Sequence, residues 1–154
     1  MTKAQRIPKT QIPKGLVTKS WDQARDTSEA MLLRDENGES PEKPKYDLEE
    51  RTARFGEAII RFAKKIPQSP VNNRLVDQLV GAATSVGANY CEADDAVSKK
   101  DFRNKIGICR KEAKETKFFL RMVATAEEGL CAEARVLWQE AKELHLIFCS
   151  IFRK

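Results

Sequence analysis

With 154 residues the chain has room for one domain and is short for two, and a core of that size needs no disulfide or metal to hold it. A hydrophobic fraction of 41% beside a charged fraction of 33% points to amphipathic helices with charged outer faces; two Tyr, two Trp and seven Gly are too few for a strand-rich fold. The formal net charge is +5, less than the surplus carried by one predicted helix alone.

Residues 1–45 read as a flexible N-terminal arm. Pro8, Pro13, Pro41 and Pro44 interrupt it, apolar residues are sparse, and NGESPEKPK has linker composition. A short helix around Trp21–Arg34 is weakly signalled. The opening MTKAQRIPKTQIPKG is polar and basic, without the apolar segment of a signal peptide. No stretch reaches the ~18 apolar residues of a membrane span, so the expected compartment is the cytoplasm, with no membrane partner.

From Tyr46 the pattern turns helical, and residues 46–154 are expected to form one domain. Asp47 is a candidate N-cap for a first helix whose stripe is Leu48, Thr52, Phe55, Ile59, Phe62 and Ile66, with Pro67 as its stop. Ser69–Pro70 opens a second helix on Leu75, Leu79, Ala82, Val86, Tyr90 and Ala93. Its centre, GAATSVGA, is built of small residues that admit a close neighbour. Ser98 and Asp101 form a capping-box pattern ahead of a third helix on Phe102, Ile106, Cys109, Ala113, Thr116, Leu120 and Val123. Gly129 is its expected stop. A fourth helix follows from about Ala132 on Ala134, Leu137, Ala141, Leu144, Phe148 and Ile151. Four helices on short links predict an all-α, antiparallel up-down-up-down four-helix bundle.

The segment GANYCEADDAVSKKDF, residues 87–102, gathers Cys91, Glu92, Asp94 and Asp95 and invites a catalytic or metal reading. Neighbouring helical positions diverge by about 100°, so adjacent carboxylates do not converge on one ion. The Glu-x-x-His motif of di-iron bundles is absent from the sequence. A helix junction, with the acids solvated or facing Lys99, Lys100 and Arg103, is the expected outcome. Cys91, Cys109, Cys131 and Cys149 lie about twenty residues apart without a CxxC pair, and His145 is the single histidine. That pattern gives no zinc site and suits reduced thiols; no metal, cofactor or catalytic residue is predicted. A Cys91–His145 or Cys149–His145 nucleophile pair lacks a third, positioning group, and His145 reads as a packing or interface residue.

Residues 78–122, QLVGAATSVGANYCEADDAVSKKDFRNKIGICRKEAKETKFFLRM, carry a resemblance. Gln78-Leu79, Ala83-Thr84-Ser85-Val86, Asn89, Glu92, Ser98 to Phe102 and Glu112-Ala113 resemble the bacterial four-helix bundle proteins encoded within intervening sequences of 23S ribosomal RNA genes. With Asp47-Leu48-Glu49 and the fourth helix, the resemblance spans roughly residues 46–154. Related bundles include the accessory variability determinant of diversity-generating retroelements, a homopentamer that binds nucleic acid and its reverse transcriptase. The resemblance therefore implies a homo-oligomer, with the pentamer as its stoichiometry, and RNA or DNA as partner. Many members carry basic residues just before the small-residue stretch, where this chain has Val80 and Gly81, so no nucleic-acid contact is assigned to the second helix.

Two features of the sequence bear on function. The third helix carries nine basic residues against three acidic ones, a surplus of six. Arg103, Arg110, Lys114, Lys117 and Arg121 follow four-and-three spacing beside the core stripe, with Lys99 and Lys100 at the helix start; such a strip suits a phosphate backbone rather than base edges. Its alternative is an ordinary solvated face whose cations pair with acids on the first two helices. The second feature is surplus apolar surface. Ile108, Phe119 and Met122 on the third helix, and Leu146, Ile147 and Phe152 on the fourth, lie off the stripes and predict a self-association surface. Cover by the arm through Ile12, Leu16 and Trp21, or Met31 and Leu32, is the competing reading. The expected function is a non-enzymatic, oligomeric nucleic-acid-binding accessory protein; the alternative is an oligomeric protein–protein adaptor.

Overall fold

The computed structural model describes residues 47–154; the expected arm at 1–45, with its Trp21–Arg34 helix, lies outside them. Four long helices follow one another: α1 (Leu48–Ala63), α2 (Pro70–Asp94), α3 (Lys99–Ala126) and α4 (Cys131–Arg153), with one 3-10 turn at Glu128–Leu130. No helix among the described residues is long and apolar enough to cross a membrane.

The starts of α1, α2 and α3 are fixed by side-chain caps. Asp47 accepts from the Glu50 N–H at 3.0 Å, Ser69 from the Asn72 N–H at 3.0 Å, and Ser98 from the Asp101 N–H at 3.1 Å. Each satisfies a donor that the first turn leaves without an intrahelical partner. Only half of the predicted capping box forms at Ser98. Asp101, a methylene shorter than glutamate, makes no return bond.

Two predicted stops need correction. The first helix ends at Ala63 rather than at Pro67: Lys65 and Ile66 turn back onto the carbonyls of Phe62 and Ala63, because the residue before a proline is pushed out of the helical region. Gly129 does not cap α3. Glu127, with φ −131° and ψ 85°, already breaks the helix after Ala126, and Gly129 sits inside the 3-10 turn with negative φ. Glu127 has a second task there, accepting from Asn72 Nδ2 at 2.6 Å, while the same amide reaches the Pro67 carbonyl at 2.9 Å. That buried asparagine ties the α1–α2 loop to the α3–α4 turn.

Each neighbouring pair runs antiparallel. Arg51 near the start of α1 meets Glu140 and Glu143, whereas Lys65 just past its end meets Glu133. Across α2 and α3, Asn72 meets Glu127 and the Cys109 thiol reaches the Val86 carbonyl. The molecule is an antiparallel up-down-up-down four-helix bundle. Between α1 and α2 the small residues act as predicted at Gly87, where an added Cβ would lie 3.5 Å from the Thr52 hydroxyl. Gly81 is different: it faces open space.

The core is the predicted stripe with few exceptions. Phe55, Ile59, Phe62, Leu79, Val86, Ile106, Leu120, Leu144 and Phe148 are almost fully buried. Thr52 and Thr116 join them because their hydroxyls bond back to the Glu49 and Glu112 carbonyls, so neither hydroxyl is buried unmet. Phe102 departs from the expectation. It is 37% exposed, in the first turn of α3 at the bundle's end, with Ile151 and Phe152 of α4 beside it.

Candidate nucleic-acid interface

Helical geometry places Arg103, Arg110, Lys114, Lys117 and Arg121 within an arc of roughly 60° along about 27 Å of α3. This strip borders the groove between α3 and α4. The guanidinium carbons of Arg103 and Arg110 lie 4.9 and 4.3 Å from the centroid of the Phe152 ring. About two turns further on, Lys117 Nζ is 4.7 Å from the Trp138 ring, and Lys142 of α4 approaches the same ring at 5.6 Å. Gly107, between the two arginines on that face, makes room for Phe152; a Cβ there would stand 3.1 Å from the ring's Cε2.

An aromatic face attracts a cation without neutralising it as a carboxylate does, so the Arg103 and Arg110 side chains are positioned without an ion pair among the described residues. Among the described residues Arg103, Arg110, Lys114 and Arg121 have no ion-pair partner, and Lys114, Arg121, Lys99 and Lys100 are exposed. Lys105 behaves differently. It is bonded to Glu92 of α2, and that bond raises its pKa. Glu92 thus resolves the acidic junction in part as a salt bridge, while Asp94 and Asp95 are exposed. No group of three or more potential metal ligands converges among the described residues.

His145 faces the same groove. Its pKa is pushed below the ordinary histidine value, first by burial and then by Lys117, Lys114 and Arg110, so the neutral ring is favoured. Cys149, one turn along α4, brings its Sγ to 3.6 Å from Nε2. The groups pressing on this pair are cations, and no carboxylate orients the imidazole, so the geometry of an activated nucleophile is missing. Cys91 lies elsewhere, 3.9 Å from Glu49. Cys109 is fully buried and its thiol is pushed up to about 12, chiefly by burial, which keeps it protonated.

The predicted self-association residues do not form one patch. Ile108, Phe119 and Met122 are half-buried on the opposite flank of α3 from the basic strip, with Phe119 edge-on to the exposed Phe118 at 5.2 Å between centroids. On α4, Leu146 is 57% exposed and Ile147 half-buried. Phe152 belongs instead to the α3–α4 groove, under the arginines.

Comparison with known families now adds to this geometry. Residues 45–147 match the family model described as the 23S rRNA-intervening sequence protein. The chain belongs to that family. A similar solved structure is a protein of unknown function from the S23 ribosomal protein family of Bacteroides thetaiotaomicron VPI-5482. It is 27% identical, with a TM-score of 0.61, and the alignment covers 69% of this chain and 98% of that one. Among curated proteins no match was found.

The four-and-three spacing of α3 puts these cations on one face but does not show which rings they meet. Phe152 and Trp138 read as surplus apolar surface or escaped notice, because the pairing of α3 with α4 decides which ring meets which cation. Spacing held part of the signal: Arg103 and Arg110 are seven residues apart, so a ring reaching one lies near the other.

Proposed function

We propose that this protein is a non-enzymatic accessory protein of the cytoplasm that binds RNA or DNA through its phosphate backbone along the α3–α4 groove, as a homo-oligomer for which the resemblance implies five copies. The observation that carries the reading is the state of the cations: Arg103 and Arg110 rest on the Phe152 ring with no carboxylate partner among the described residues, in line with Lys114, Lys117 and Arg121. A solvated face whose charges were consumed internally would instead pair them with α2, as happens at Lys105. Repetition of the strip in an assembly raises the effective affinity of each weak phosphate contact. Ile108, Phe119, Met122, Leu146 and Ile147 support self-association as apolar side chains outside the core stripes.

Fluorescence anisotropy with labelled duplex DNA and structured RNA, across a salt series and with native mass on the same sample, tests this. Affinity should fall linearly in log salt with a slope of about −4 to −5 if five phosphates are neutralised per subunit. No binding at low salt would reject the reading and leave the strip to an acidic protein partner, as the adaptor alternative holds.

A further inference from the structure

The basic strip does not end in open surface. At its Arg103 end, between the first turn of α3 and the last turn of α4, lies a pocket of about 450 Å³, more enclosed than the grooves that α1 makes with α2 and α4. Its walls are Phe102, Phe152 and Ile151, and Lys99, Arg103 and Lys154 surround them. We propose that this pocket receives one unpaired nucleotide of a nucleic-acid strand whose backbone lies on the strip, which deepens the function proposed above and rests on it.

Two features select that ligand class. Phe102 is 37% exposed in a position the core pattern would have buried, and it lines the pocket. Every nucleobase has a complementary π-face, and an unstacked base recovers on an aromatic ring part of what it loses by leaving its own stack. The second feature is charge. Among the described residues no carboxylate side chain lines the pocket, and three cations do, so a planar group is favoured when it carries a phosphate. Arg103 belongs to both sites: its guanidinium sits over Phe152 at 4.9 Å, at the junction of pocket and strip. A backbone running from Arg121 toward Arg103 delivers its next nucleotide to Phe102. A paired base remains in its stack, so the pocket distinguishes unpaired nucleotides, at an overhang or junction, from blunt duplex.

The experiment compares anisotropy of the full chain with a short labelled duplex in three forms: blunt, carrying an unpaired dinucleotide at either end, and carrying an abasic dinucleotide. RNA and DNA versions are run in parallel. The overhang should tighten binding about tenfold over blunt duplex, and the abasic overhang should not. Phe102→Ala should abolish that advantage and leave blunt-duplex affinity unchanged, whereas Phe102→Tyr, which keeps a ring face, should retain it. Because Phe102 is outside the closed core, a melting curve close to that of the unmodified protein should confirm that both variants fold. Equal affinity for blunt and overhang forms, or an advantage that survives Phe102→Ala, overturns the pocket and leaves the backbone reading standing. Failure of all forms to bind at low salt overturns both.

Discussion

The bundle handles its cations in two ways on two sides. Along α1, arginine and lysine are spent on carboxylates: Arg51 holds Glu140 through two bonds of 2.7 and 2.9 Å and Glu143 at 2.6 Å, Lys65 holds Glu133, and Arg54 and Arg61 pair with glutamates one turn earlier in their own helix. Along the α3–α4 groove Arg103 and Arg110 sit on the Phe152 ring, with no carboxylate partner among the described residues. The chemistry of the side chains is the same, and the consequence is opposite. A carboxylate neutralises the charge and occupies the donors; an aromatic face positions the charge and leaves the donors to a third party. On one side charge ties helices to each other, and on the other an aromatic ring positions it.

The largest test of that contrast changes Arg103, Arg110, Lys114, Lys117 and Arg121 together to Gln. The fold should persist, since none of these five side chains is itself buried and glutamine keeps most of the stem that Lys117 lays near the Trp138 ring, and nucleic-acid affinity at low salt should fall at least about a hundredfold with a much flatter salt dependence. Retained affinity would remove α3 from the interface. Arg51→Gln is the reciprocal change. It leaves Glu140 and Glu143 facing α1 without their shared cation, and chemical denaturation should register a loss of about 1–2 kcal/mol, with nucleic-acid affinity unaltered. Should Arg51→Gln weaken binding as much as it weakens the fold, the two sides are not separate.

How much of this was legible in the chain follows from what periodicity reports. One helix's stripe depends on that helix alone, so Ile59, Val86, Ile106 and Leu144 were placed in the core correctly, as were the caps at Asp47, Ser69 and Ser98. Helix ends were read less well. Gly129 looked like a stop by composition, but Glu127 breaks the helix because its carboxylate is drawn to Asn72, 55 positions away. The site was half legible for the same reason. Which cations share a face is a property of α3; that Phe152 lies under Arg103 and Arg110, and His145 near Lys117, depends on the register of α4 against α3, which a single sequence does not encode locally.

The smallest predicted effect uses that histidine as a reporter from inside the groove. In the free protein His145 titrates below the ordinary value because it is partly buried and because Lys117, Lys114 and Arg110 oppose a further positive charge. A phosphate backbone laid on the strip offsets the field of those three cations while leaving the burial in place. The pKa of His145 should therefore rise on saturation with duplex, as read from its imidazole resonances by NMR. Linkage fixes the sign of the companion effect: a complex that binds the proton more tightly than the free protein gains affinity as pH falls through the bound-state value, and levels off below the free-protein value. The free fold shows the reverse trend. An unfolded histidine accepts its proton near 6.5, more readily than the folded one, so stability declines as pH drops below that point. His145→Gln should erase the pH step in binding and keep the salt slope. An imidazole that titrates identically with and without saturating duplex would place the nucleic acid away from this groove, and the rings beneath the arginines would then serve packing alone.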